Sequence, residues 1–195
     1  MDEQQTVLST YEYVQRELTT GDPGHDHWHI YRVWKLASTI ARPEPCARIF
    51  IVELGALLHD IGDWKFHAEG EGTKKAGEWL SSAGVPTEII STVQAIVRDI
   101  SFKGALVKEP SLSLEGKIVQ DADRLDALGA IGIARCFTYG GFKRRPLHDP
   151  RTTPTLHTSP EAYRQEGTTI NHFYEKLLLL KDRMHTKTAR RLAEE

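Results

Sequence analysis

The sequence predicts an all-helical fold, and three observations carry that prediction. Apolar residues recur at three- and four-residue steps, as in Val7, Tyr11, Val14 and Leu18. Helix-stopping and helix-starting residues punctuate the chain, with Gly21-Asp22-Pro23-Gly24 ending the first segment and Asp26 placed to cap the next. The long apolar run from Cys46 to His59 exceeds a normal strand, and its Gly55 and Ala56 suit close helix packing.

The elements follow in order. A second helix is predicted over about 27–41, with Ile30, Val33, Trp34, Ala37 and Ile40 inward and Pro43 and Pro45 ending it. Cys46 to His59 forms a helix buried on most sides. Further helices are expected at about 74–82, 86–100 and 114–137, with Pro86 in the first turn of its helix. A last long helix covers about 160–184, and the tail from Thr186 is weakly helical. Residues 139–159 break the pattern with Gly140, Gly141, Pro146, Pro150 and Pro154, and read as a long loop or lid over a site. No repeat of 20–50 residues is present, so residues 1–195 are expected to form one domain. Trp28, Trp34 and Trp79 read as core or part-buried anchors.

Composition narrows the function classes. Lys and Arg number 25 and Asp and Glu 27, a net charge of −2. That balance, with no basic stripe interleaved with aromatics, gives no reason to expect a nucleic acid or an anionic membrane as partner. No apolar stretch approaches the roughly 20 residues that span a bilayer. The acidic, polar start resembles no secretory signal, and the only two cysteines, Cys46 and Cys136, are expected as reduced thiols in a cytoplasm.

The chemistry concentrates in three places. Leu57-Leu58-His59-Asp60 ends a buried helix in two polar groups, which need partners because an unpaired polar group away from water costs roughly 1–3 kcal/mol. A divalent cation satisfies both, and imidazole with carboxylate suits Mn²⁺, Fe²⁺, Co²⁺, Ni²⁺ or Zn²⁺. Upstream, His25, His27 and His29 fall within five residues, and His29 is i,i+4 from Val33, on the packed side. Downstream, Asp121-Ala122-Asp123-Arg124-Leu125-Asp126 sets carboxylates in a helical pattern. Asp121 shares a stripe with Leu125 and Leu128, which predicts that it is buried, with a metal or Arg124 and Arg32 keeping it ionised. Asp123 and Asp126 lie i,i+3 on another face. His29, His59, Asp60 and Asp121 thus sit on three apolar helices as a candidate octahedral donor set.

The order His29-x-x-Arg32-Val33, then Leu57-Leu58-His59-Asp60, then Asp121 to Asp126 resembles the HD superfamily of metal-dependent phosphohydrolases. Asp63-Trp64-Lys65-Phe66, Ser101-Phe102-Lys103-Gly104, Asp121 to Arg135, and Asn171 to Leu178 resemble its YpgQ/YedJ-like branch. The resemblance implies an all-helical HD domain and one divalent cation, Mn²⁺ above Mg²⁺, Co²⁺, Ni²⁺ or Fe²⁺. It also implies nucleotide pyrophosphohydrolase activity, converting a (d)NTP to (d)NMP and pyrophosphate. It assigns the ligand roles to His29, His59, Asp60 and Asp121, and the orientation of the attacking water to Asp63, provided the helical turn persists through Gly62. Phosphates are then expected on Lys65, Lys103, Arg144, Arg145 and Lys176, with Lys143 and His172 beside them, His25 as a further substrate contact and Trp64 stacking on a base. A 5′-nucleotidase, a cyclic-nucleotide phosphodiesterase and a silent nucleotide sensor are the competing readings. A small-molecule nucleotide is the expected partner, and a homodimer is compatible with the sequence.

Overall fold

The structure, a computed structural model, describes residues 2–18, 26–62, 70–163 and 167–195. Helices make up the fold, and there is no strand among the described residues. In order they are α1 (Glu3–Glu17), α2 (His27–Ala41), α3 (Ile49–Leu58), α4 (Glu71–Ser82), α5 (Thr87–Asp99), α6 (Leu114–Asp126) and α7 (Gly129–Phe142). A one-turn helix (Pro160–Tyr163) and a C-terminal helix (Lys187–Glu194) follow.

Local chemistry sets the helix ends. The Asp2 carboxylate accepts from the N–H groups of Gln4 and Gln5, and Asp26 accepts from the His29 N–H, as its position before α2 predicts. Ser113 and Thr186 cap α6 and the C-terminal helix in the same way. Pro86 stands at the N-cap of α5, one position before the first turn where the sequence reading put it.

The apolar run makes α3 the centre of the molecule. Phe50 to Val52 and Leu54 to Leu58 are buried, and α1, α2, α5 and α6 pack around them. Burying a Leu or Ile side chain contributes roughly 1.5–3 kcal/mol, so α3 is the main hydrophobic anchor. Trp34 is buried, with its indole N–H on Glu53 (3.0 Å), and Trp79 stacks on Tyr13 at 4.3 Å. Trp28 departs from expectation: it is 53% exposed, on the outer face of α2.

Two predicted helices are broken. The segment 114–137 divides at Ala127-Leu128, and Gly129 takes φ +64°, a left-handed conformation that turns α7 away from α6. The segment 160–184 divides into the one-turn helix, a π-helical turn (Phe173–Leu177), a short α-helical stretch and a 3₁₀ turn (Lys181–Arg183). Periodicity survives both breaks, which is why the sequence does not reveal them.

The predicted loop is hydrogen-bonded to the segments beside it. It starts only after Phe142, because α7 runs on to there. Pro146 and Leu147 accept from Thr169 and Ile170 N–H, His157 accepts from Leu106 N–H, and Thr155 N–H donates to Glu175. Cys46 and Cys136 are both free thiols. No helix among the described residues is long and apolar enough to cross a membrane.

His59 and Asp60 open the turn that follows α3. Ile61 N–H bonds back to Leu58, and Gly62 follows at φ +77°. A Cβ on Gly62 would lie 2.9 Å from the Gly72 backbone. Gly62→Ala is therefore expected to lower stability by about 2 kcal/mol, read as a shift in urea midpoint. An unchanged midpoint would show that this turn carries no conformational constraint.

Candidate metal centre and substrate cavity

Three helices that pack on one another bring the site together. His29 lies in the first turn of α2, His59 caps the C-terminus of α3 with Asp60 next to it, and Asp123 lies in α6. The His29 and His59 side chains are buried, whereas those of Asp60 and Asp123 are 18% and 33% exposed.

Hydrogen bonds determine which ring nitrogens face inward. His29 Nδ1 is 2.7 Å from the Asp126 carboxylate, and His59 Nδ1 is 2.8 Å from the Ala56 carbonyl. Both partners only accept, so each Nδ1 carries a proton and donates. With Nδ1 so engaged, each ring turns Nε2 toward the centre, and the two Nε2 atoms lie 3.3 Å apart. The carboxylates close the ring: Asp60 oxygens are 3.4 Å from His29 Nε2 and 3.7 Å from His59 Nε2, and Asp123 Oδ1 is 3.5 and 3.8 Å away.

Such a cluster calls for a positive charge at its centre. Burial disfavours a charged His59, but the adjoining Asp60 and Asp123 carboxylates override it and raise its pKa to about 9. Burial likewise opposes ionisation of Asp123, yet the His59 hydrogen bond and charge hold it well below the usual carboxylate range. Two imidazoles and carboxylates within ligand distance of one another are the donor set of a divalent transition-metal site, and His29, His59 and Asp123 lie close enough to share one ion. The residues present fit such a cation.

Asp121 is where the sequence reading is corrected. It is fully buried, as its stripe predicts, but it faces the C-terminal segment. Its Oδ1 accepts from His185 N–H (2.8 Å), and its Oδ2 accepts from Thr186 N–H and the Thr186 hydroxyl (both 2.8 Å). Residues two apart on a helix point about 200° from each other, so Asp121 and Asp123 cannot serve one site. Nor do Arg32 and Arg124 serve Asp121. Arg32 binds Asp126 through Nε (2.6 Å) and Nη2 (3.0 Å), and Arg124 binds Glu109 (2.6 Å).

Sequence reasoning gave no role to Asp126. It accepts from His29, Arg32 and Arg135, and although burial opposes ionisation, these bonds hold its pKa at about 2. The i,i+3 pairing of Asp123 with Asp126, set against Arg32 three residues after His29, was the available signal.

A cavity of about 440 Å³ opens from the cluster, with Asp60 and Asp123 in its wall. Arg135, Lys143, Arg145, His172 and Lys176 line it, as do the rings of Phe102, Tyr139 and Tyr163. Arg145 lies 5.3 Å from the Tyr139 ring centroid, and its Nε is buried with no hydrogen-bond partner. A buried donor left unpaired costs roughly 1–3 kcal/mol, which an anionic oxygen in the cavity would offset. The π-helical turn carries Lys176, and His172 precedes it; such turns are frequent at functional sites.

Of the predicted substrate contacts, Arg145 and Lys176 line this cavity and Lys103 and Arg144 do not. Arg144 is exposed at φ +54°, turned out by the bend that brings Arg145 in. Ser101 and Phe102 line the cavity, and the chain turns away at Lys103. Asp63, Lys65, His25 and Trp64 lie outside the described residues. Gly62, however, does not continue the helical turn on which the alignment of Asp63 with His59 and Asp60 depended.

Comparison with known proteins places these observations beside a family, a relative and solved structures. A family model described as "HD domain" matches residues 28–128. The Bacillus subtilis (strain 168) protein YpgQ is 44% identical over 186 residues, covering 94% of this chain and 82% of that one. Among solved structures, a Lactobacillus plantarum protein superposes with a TM-score of 0.91 at 36% identity, covering 100% of this chain and 91% of that one. Bacillus subtilis YpgQ in complex with ADP superposes at 0.78 and 37% identity, covering 100% and 88%. An HD-superfamily hydrolase from Bacillus thuringiensis superposes at 0.73 and 41% identity, covering 98% and 89%.

Proposed function

The chain belongs to the HD superfamily of metal-dependent phosphohydrolases, and from that premise we propose that it is a nucleotide pyrophosphohydrolase, cleaving a (d)NTP to (d)NMP and pyrophosphate. One observation carries the reading. Two buried Nε2 atoms 3.3 Å apart are flanked by Asp60 and Asp123, which stand in the wall of a cavity that also carries Arg135, Lys143, Arg145 and Lys176. A cation centre beside an anion-binding surface is what phosphoryl transfer requires.

We assign His29, His59, Asp60 and Asp123 to the cation, with Mn²⁺ favoured. When bound, the cation supplies Lewis acidity, lowering the pKa of water toward neutrality and offsetting charge on a phosphoryl oxygen. The two imidazoles present Nε2 with the tautomer already set, and the carboxylates balance the ionic charge. Arg135, Lys143, Arg145 and Lys176 hold the polyphosphate and disperse the charge that develops in the transition state. Several cationic or imidazole side chains suit a triphosphate better than a monophosphate, and Phe102, Tyr139 and Tyr163 offer ring surface to a base. The ADP held by a relative of the same fold supports a nucleotide as the class of ligand. For Asp63, three residues beyond Asp60, the water-orienting role rests on the sequence resemblance alone, because Gly62 breaks the helical turn that would have aligned it with His59 and Asp60.

The test is a nucleotide panel with Mn²⁺, Mg²⁺, Co²⁺ and Ni²⁺, with products resolved by phosphorus NMR. Pyrophosphate from triphosphates is the expected product, most abundant with Mn²⁺. Orthophosphate from monophosphates would establish a 5′-nucleotidase instead, and hydrolysis of cyclic nucleotides a phosphodiesterase. Binding without turnover under every cation would establish a sensor.

A further inference from the structure

Asp126 joins the candidate cation centre to the cavity. Its carboxylate is almost fully buried on α6, three residues beyond Asp123. Two guanidinium groups hold it in different ways. Arg32 reaches both oxygens, Nε to Oδ1 at 2.6 Å and Nη2 to Oδ2 at 3.0 Å, which fixes the plane of the carboxylate. Arg135 reaches only Oδ2, at 2.8 Å, and this is the oxygen that accepts from His29 Nδ1 at 2.7 Å. Arg135 also lines the cavity, where Arg32 does not.

We propose that Asp126 is a positioning residue for His29, and that Arg135 relays anion binding in the cavity to the cation centre through their shared oxygen. An acceptor oxygen divides its electron density among its donors. While Arg135 draws on Oδ2, less is left to polarise the His29 Nδ1–H bond. An anion that engages Arg135 relaxes that draw and offsets its positive charge. Asp126 then polarises His29 more strongly, and Nε2 on the far side of the ring becomes the better donor. Anionic substrate and cation thereby strengthen each other's binding, and linkage makes the effect reciprocal. The inference rests on the assignment of His29 to the cation.

The test is a Mn²⁺ titration by calorimetry on the nucleotide-free protein, comparing wild type with Asp126→Asn, Arg135→Met and Arg135→Lys. Asp126→Asn is expected to weaken Mn²⁺ binding about 10–100-fold. Arg135→Met is expected to act in the opposite direction, tightening it about threefold because a positive charge and a competing donor are both removed. The same variant is expected to raise the nucleotide KM about tenfold, since the cavity loses a cation. Arg135→Lys keeps the charge and is expected to stay within about twofold of wild type for Mn²⁺. The opposite signs are the signature, because residues that merely support the fold would weaken binding together.

If Asp126→Asn does not fold, the sign of Arg135→Met against Arg135→Lys decides the matter. Wild type that binds one Mn²⁺, with Arg135→Met unchanged or weakened, overturns the relay and leaves the function reading standing. Wild type that binds no Mn²⁺ overturns both.

Discussion

Asp123→Ala is expected to reduce cation-dependent nucleotide hydrolysis on the order of 10³-fold while the protein stays folded. Asp123 Oδ1 lies 3.5 and 3.8 Å from the two histidine Nε2 atoms, and the residue lines the cavity. Its removal takes away a negative donor at the point where cation and phosphate meet. The fold depends on it only modestly, because the side chain is one-third exposed, although its hydrogen bond and attraction to His59 are lost. Without metal, the melting temperature is therefore expected to fall by a few degrees at most, because the attraction between Asp123 and His59 is lost. Mn²⁺ is expected to raise the melting temperature of wild type and not that of Asp123→Ala. Asp60→Ala should behave in the same way. Steady-state kinetics and thermal denaturation with and without MnCl₂ check both halves, and full activity in Asp123→Ala would remove it from the centre.

Asp121→Ala is expected to do the reverse. Its buried carboxylate accepts three hydrogen bonds from His185 and Thr186, so the substitution leaves three donors without their acceptor. A loss of about 3 kcal/mol follows, read by urea denaturation, or a fall in melting temperature of about 10 °C. The fraction that remains folded is expected to bind Mn²⁺ with wild-type affinity. An Asp121→Ala protein of unchanged stability that no longer binds Mn²⁺ would return Asp121 to the ligand set. The two aspartates, separated by one alanine, thus give opposite phenotypes.

Much of this was visible in the residues themselves. The span 27–41 of α2, its Asp26 cap and the burial of the Ile49–Leu58 segment follow from spacing and side-chain chemistry alone. So does the polar end of α3 at His59-Asp60, where His59 is buried. These are local matters, determined by 3.6-residue periodicity, capping and the cost of burying polar groups. The resemblance of the His29, His59-Asp60 and Asp121-to-Asp126 segments to HD phosphohydrolases agrees with the family match over 28–128.

The misreadings share one cause. Periodicity identified Asp121 as buried but did not say against what. The apolar stripe it belongs to meets a segment 64 residues further on, while the face bearing Asp123 and Asp126 meets α2, 94 residues back at Arg32 and 97 at His29. The breaks before α7 and around the π-helical turn are equally invisible locally, because each keeps an apolar rhythm across the interruption. Arg144 and Arg145 are neighbours of one chemistry, and only the backbone bend at Arg144 puts one in solvent and the other in the cavity.

Residue order alone therefore determined that this is a helical chain whose central helix ends in a His-Asp pair suited to a cation. Which carboxylate lies beside that pair, and which basic side chains line the same cavity, depends on how distant helices pack. A helix dictates the directions of its own side chains within 100° steps, whereas the identity of the surface each direction meets depends on contacts nearly a hundred residues apart.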